Sequence, residues 1–142
     1  MGFVITGAFT YVGSLLLEKI TERFNENIFI MDEVPWSIPQ GVLSLLTSPR
    51  IKWINTSIFN EEELSNFVKT HSREKFIVIH CKVSEVNASV DECDAINNWG
   101  SGILASCLLP VSEKFIYIVP YFRKAGYFFP YFLSIAKGWE RI

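Results

Sequence analysis

Short continuous apolar runs alternate along the chain with stretches in which apolar residues recur every three or four positions. Residues 3–6, 28–31, 52–54, 76–80 and 115–119 are five such runs, rich in Ile, Val and Phe. Strands that read as unbroken apolar runs are buried on both faces, as in parallel sheets covered by helices. Between them the pattern is helical. Residues 12–24 set Val12, Leu15, Leu16, Ile20 and Phe24 on one predicted stripe, with Glu18, Lys19, Glu22 and Arg23 elsewhere. Asn60 followed by Glu61, Glu62 and Glu63 is a helix start, a capping side chain before acids that face the positive end of the helix dipole. That helix is expected to run to about His71. Another is expected from Asp91 to Leu109, ended by Pro110. Residues 35–49 read as a loop with one helical turn near Val42, and a last helix is predicted from Tyr131 onward.

Strands alternating with helices predict a three-layer, doubly wound α/β domain with a mainly parallel five-stranded sheet. Any ligand is expected at the carboxyl edge of that sheet. The 142 residues suit one domain, with residues 1–119 as its core and 120–142 as an aromatic C-terminal segment. At 49% hydrophobic the chain lies far from the disordered class. A net charge of −2 without basic clusters argues against nucleic-acid binding. Three widely spaced cysteines read as thiols in a reducing compartment. The first residues show no basic leader and no run of about 20 apolar residues occurs, so a cytoplasmic protein without a membrane span is expected. His71 and His80 fall on separate elements, and no metal site is expected.

The chemistry concentrates in the first turn, FVITGAFTYVGS. Gly7 permits a tight turn out of the first strand, and Gly13 lets the following helix pack closely. The helix beginning near Tyr11 points the free amides of Tyr11 and Val12 back at the strand end, where an anion is favoured without any charged side chain. The middle glycine of a dinucleotide-binding turn is replaced by Thr10, whose hydroxyl could donate to a phosphate or whose bulk could block it. Asp32 closes the second strand, where a carboxylate accepts hydrogen bonds from ribose hydroxyls and favours NAD over NADP.

This arrangement resembles the extended short-chain dehydrogenase/reductase family, the NAD-dependent epimerases and dehydratases that act on nucleotide-sugars. Its TGxxGxxG turn stands here as Thr6-Gly7-Ala8-Phe9-Thr10-Tyr11-Val12-Gly13. The acid after the second strand looks like Asp32, the family's His-Leu-Ala-Ala like His80-Cys81-Lys82-Val83, and its Asn-x-x-Gly-Thr like Asn97-Asn98-Trp99-Gly100-Ser101. The resemblance implies a cofactor-binding half of Rossmann type. It places Ser57, Ile58, His80, Cys81, Lys82 and Asn97 near the cofactor, with the turn residues and Asp32. Read from the residues alone, His80 is rather an ordinary hydrogen-bonded edge histidine and Lys82 a solvated strand-end lysine.

The family's catalytic residues are not found. Ser57 and Asn60 stand where an Asp is usual, and Val119-Pro120-Tyr121 where a Ser or Thr is usual. Tyr131 and Lys137 are six apart rather than four, which puts them on different helix faces. The chain stops at Ile142, where the family would continue into a sixth strand and a substrate domain. The expectation is an NAD-binding-like domain without independent catalysis. Two alternatives stand beside it: a short epimerase or reductase component completed by another chain, and an interaction module with a vestigial nucleotide site. Tyr121, Tyr127, Phe128, Phe129 and Trp139 make the C-terminal segment a candidate surface for a homodimer or partner chain.

Overall fold

A computed structural model of the chain describes residues 1–82, 89, 91, 92 and 95–118, and the backbone of 139–141. The five apolar runs form β1 (Gly2–Thr6), β2 (Ile28–Asp32), β3 (Ile51–Asn55), β4 (Phe76–His80) and β5 (Ser112–Tyr117). A sixth strand, β6 (Trp139–Arg141), pairs with β5. Every pairing is parallel, in the order β3-β2-β1-β4-β5-β6. The sheet is wound outward in both directions from β1, so the doubly wound class holds. All five expected strands are present, and β6 adds a short sixth at the β5 edge. Trp-Glu-Arg has no apolar run to announce a strand, and what identifies it is its pairing beside Phe115, Ile116 and Tyr117. The predicted last helix falls on residues that are not described, except for these three, which are extended.

The helices are α1 (Tyr11–Arg23), α2 (Gln40–Leu45), α3 (Glu61–Thr70) and α4 (Ser101–Leu108). The stretch expected to be one helix up to Leu109 instead contains a π-helical turn, Ala95–Gly100, before α4 and a 3-10 turn, Leu109–Val111, after it. A Cβ on Gly100 would lie 2.4 Å from Ile58 Cδ1, so the π turn presses directly onto the loop after β3. Asn60 caps α3 as expected, accepting from the Glu63 amide at 3.1 Å. Arg50 closes the other end of α1, its guanidinium donating to the carbonyls of Thr21, Phe24 and Glu26.

Alternation along the strands sorts the interior into two cores. Phe3, Ile5, Ile28, Ile30 and Ile79 face α1 and α2, meeting Leu17, Ile20 and Val42. Val4, Phe29, Val78 and Phe115 face α3 and α4, meeting Leu64, Phe67, Leu104 and Leu108. Each such side chain stabilises the fold by about 1.5–3 kcal/mol on full burial.

The predicted stripe of α1 is also corrected. Gly13, Leu17 and Ile20 are the buried residues, while Val12, Leu15 and Phe24 are 46%, 44% and 44% exposed. The rotation of this helix is set by a backbone contact. A Cβ at Gly13 would lie 1.9 Å from the Gly7 carbonyl oxygen, so this position must face the strand. Positions four and seven further along then face inward with it. Among the described residues no helix is long and apolar enough to cross a membrane.

Candidate functional site

The carboxyl ends of β1, β2 and β4 lie side by side, and three segments leaving them converge. Gly7 follows β1 with φ +72°, a backbone conformation that favours glycine. A Cβ there would also lie 2.5 Å from the Cys81 carbonyl carbon. The turn can therefore be made only by a residue without a side chain.

Thr10 is the N-cap of α1, and its hydroxyl is occupied within the turn. It donates to the Gly7 carbonyl at 2.6 Å and accepts from the Gly13 amide at 3.1 Å. The side chain is thus folded back onto the loop it closes. Of the first amides of α1, Gly13 is satisfied by this cap. Those of Tyr11 and Val12 have no protein partner among the described residues. Thr10→Ala is expected to destabilise the domain by about 1 kcal/mol, the usual cost of losing a hydroxyl cap. A shift of the urea midpoint checks this, and an unchanged midpoint would show that the cap carries no energy.

Asp32 is 4% exposed and accepts from the Ala8 amide at 2.7 Å through Oδ2. The Lys82 ammonium stands 4.0 Å from its Oδ1. Burial raises the carboxyl pKa to about 6, against the lowering effects of Lys82 and the turn amides. Beside it, Trp53 donates its indole N–H to the Asp32 carbonyl at 2.8 Å and meets Phe9 edge-on. Trp53 and Ala8 were not singled out from sequence. An aromatic in the third strand and an alanine in the turn carry no motif of their own.

Several residues assigned to the cofactor edge turn out to be interior. Parallel register sets Thr6, His80 and Tyr117 in one row across β1, β4 and β5. The His80 side chain is fully buried there, stacked on Tyr117 with ring centroids 4.7 Å apart. Its Nδ1 meets the Thr6 hydroxyl, and its Nε2 lies 2.7 Å from Ser101 Oγ. Ser101 also donates to the Ile96 carbonyl at 3.2 Å. Burial lowers the His80 pKa to about 3, so the ring stays neutral. The His80 side chain is thus held in the interior as an ordinary hydrogen-bonded histidine and does not reach the sheet edge. Sequence placed Ser101 within the Asn-x-x-Gly-Thr match but not its hydroxyl on His80.

Cys81 points to the opposite face, into the core beneath α1, with its thiol pushed up to about 12 by burial. Asn97 is buried in the π turn, its carbonyl accepting from the Tyr117 hydroxyl at 3.2 Å. Ile58 belongs to the core facing α3 and α4. Ser57 remains on the half-exposed loop after β3, its hydroxyl accepting from the Phe59 amide. The structure therefore brings together Gly7, Thr10, Tyr11, Val12, Gly13, Asp32 and Lys82, and turns the side chains of Ile58, His80, Cys81 and Asn97 inward. Among the described residues no group of His, Cys, Asp or Glu could hold a metal ion. Tyr121, Tyr127, Tyr131 and Lys137 lie outside the described residues, as do Val119 and Pro120.

By sequence the chain matches no family model and no curated protein. By structure it resembles the enzyme WbmG of Bordetella bronchiseptica, solved with NAD. The TM-score is 0.68 at 18% identity, over 83% of this chain and 37% of that one. It also resembles UDP-glucuronic acid 4-epimerase of Bacillus cereus, solved with UDP-glucuronic acid and NAD, at 0.69 and 21%, over 89% of this chain and 43% of the epimerase. A third likeness is to a double mutant of DesIV, a dTDP-glucose 4,6-dehydratase of Streptomyces venezuelae, solved with NAD. Here the values are 0.64 and 14%, over 83% and 39% of the two chains. At these identities the shared property is the Rossmann-like fold. The chain spans well under half the length of each of these proteins.

Proposed function

We propose that this domain binds NAD across the carboxyl ends of β1, β2 and β4, and does so without a self-sufficient catalytic centre. The observation that carries this reading is the position of Thr10. Its hydroxyl is spent on Gly7 and Gly13, so the substitution of the middle glycine reinforces the turn and leaves the Tyr11 and Val12 amides clear. Those amides and the dipole of α1 would hold the pyrophosphate. Asp32, ionised above about pH 6, would accept the adenosine ribose hydroxyls, and Ser57 would flank the adenine side. Bound NAD would supply a hydride acceptor. Within these residues no Tyr and Lys stand at the spacing that activates a tyrosine, so proton transfer and a nucleotide-sugar site would be supplied from outside them. The aromatic C-terminal segment is the part of the sequence we assign to association with a partner.

Calorimetric titration with NAD⁺ tests the reading. Wild type is expected to bind in the micromolar range, Asp32→Ala about tenfold more weakly, and Thr10→Gly no more tightly than wild type. Binding by Thr10→Gly alone would show that the threonine closes the cradle. Silence from both would overturn the proposal.

A further inference from the structure

Lys82 is the feature that neither the fold nor the family pattern accounts for, since small apolar residues are usual at its position. It leaves β4 just after the strand ends. Its amide nitrogen comes so near the first turn that a Cβ on Gly7 would lie 2.6 Å from it. Its ammonium ends 4.0 Å from Asp32 Oδ1, at the end of β2. Because β1 lies between β4 and β2, the side chain has to cross the carboxyl end of β1, over the glycine turn. It is 35% exposed, whereas the Asp32 side chain is 5% exposed. An incoming ligand therefore meets the ammonium before the carboxylate. At 4.0 Å the pair is also longer than a hydrogen bond, and Asp32 already has the Ala8 amide as a closer partner.

We propose that Lys82 is a phosphate ligand, which leaves Asp32 for the pyrophosphate when a nucleotide enters. The inference rests on the dinucleotide reading above. A phosphate seated on the Tyr11 and Val12 amides would bring its charge beneath the path of this side chain. The exchange replaces a loose ion pair by a charge-assisted hydrogen bond and frees Asp32 Oδ1 for a ribose hydroxyl. Glu33, a further charged neighbour of Asp32 among the described residues, is exposed. One residue would thereby couple the phosphate and ribose subsites.

The test compares wild type, Lys82→Met and Lys82→Arg with three probes: ADP, inorganic pyrophosphate and adenosine. Binding is followed by the amide NMR shifts of Tyr11 and Val12, with urea midpoints confirming that each variant is folded. Lys82→Met is expected to weaken ADP and pyrophosphate about tenfold while adenosine binds as well as, or better than, to wild type. Lys82→Arg should keep ADP binding within about threefold, since the charge is retained. If wild type binds ADP and Lys82→Met binds it equally well, the role of Lys82 falls while the nucleotide site stands. Equal loss of adenosine and ADP would reduce Lys82 to a support for Asp32 and also overturn the proposal. If wild type binds none of the three probes, the dinucleotide reading itself fails and this inference with it.

Discussion

Gly13→Ala is expected to destabilise the domain by more than about 3 kcal/mol, above the usual range for an added methyl group in a packed core. The new Cβ would lie 1.9 Å from the Gly7 carbonyl oxygen and 2.7 Å from its carbon. Both obstacles are backbone, so no rotamer can relieve the clash. The first turn of α1 would have to lift away from the end of β1. That movement would pull apart the Thr10 cap and withdraw Leu17 and Ile20 from the core. Gly102→Ala is the matched control. Gly102 lies within α4, where an added Cβ would meet no heavy atom of the described residues within 4 Å. It should stabilise by about 0.5–1 kcal/mol through helix propensity and a less flexible unfolded chain. Urea midpoints at constant slope measure both. Equal effects from the two substitutions would mean that α1 does not approach β1 as described.

The second large effect is on acid stability, where Asp32 and His80 act in opposite directions. The folded-state pKa of His80 is depressed to about 3 from 6.5, so below pH 6.5 the unfolded chain takes up a proton that the native ring refuses. Its contribution is fully present above pH 6.5 and is lost as pH falls toward 3, at up to about 1.4 kcal/mol per unit. Asp32 is raised to about 6 from 3.8, so the native carboxyl holds a proton that the unfolded chain releases. Its contribution is present below pH 3.8 and is lost as pH rises through 6. Between these two values the slopes cancel, and the pair leaves wild-type stability nearly level. Asp32→Asn removes the opposing slope. Its stability relative to wild type should fall by on the order of 3 kcal/mol between pH 6 and pH 4. Stability curves for the two proteins that stay parallel over this window would refute the raised carboxyl pKa.

Much of the architecture was legible because each buried strand is a short apolar run and each run is bounded by turn residues. The converging turn and Asp32 were legible too, since glycines and a strand-end carboxylate stand at spacings with few structural meanings. Three features were not. The face α1 buries follows from one backbone contact at Gly13, whereas counting hydrophobic residues points to Val12 and Leu15. The meaning of Thr10 depends on where its hydroxyl turns, and sequence specifies the group without its rotamer. His80 stands at the end of its strand in sequence and in the interior in space. The π turn carrying Asn97 and the start of α4 at Ser101 cover it, and that cover comes from about twenty residues further along the chain. β6 was hidden for the opposite reason, because two of its three residues are charged.

The central place of β1 also governs the order in which the sheet can assemble. Its partner on one side, β2, follows after a single helix, and the loop between them closes at modest entropic cost. Its partner on the other side, β4, brings His80 to Thr6 across 74 positions. Until that strand is made, the Phe3–Val4–Ile5 edge of β1 presents unpaired amides and carbonyls beside bare apolar side chains. Such an edge is a template for pairing with other chains. The strand that ends at the glycine turn is therefore the one most open to aggregation while the chain is half-made, and docking of β4 ends that exposure.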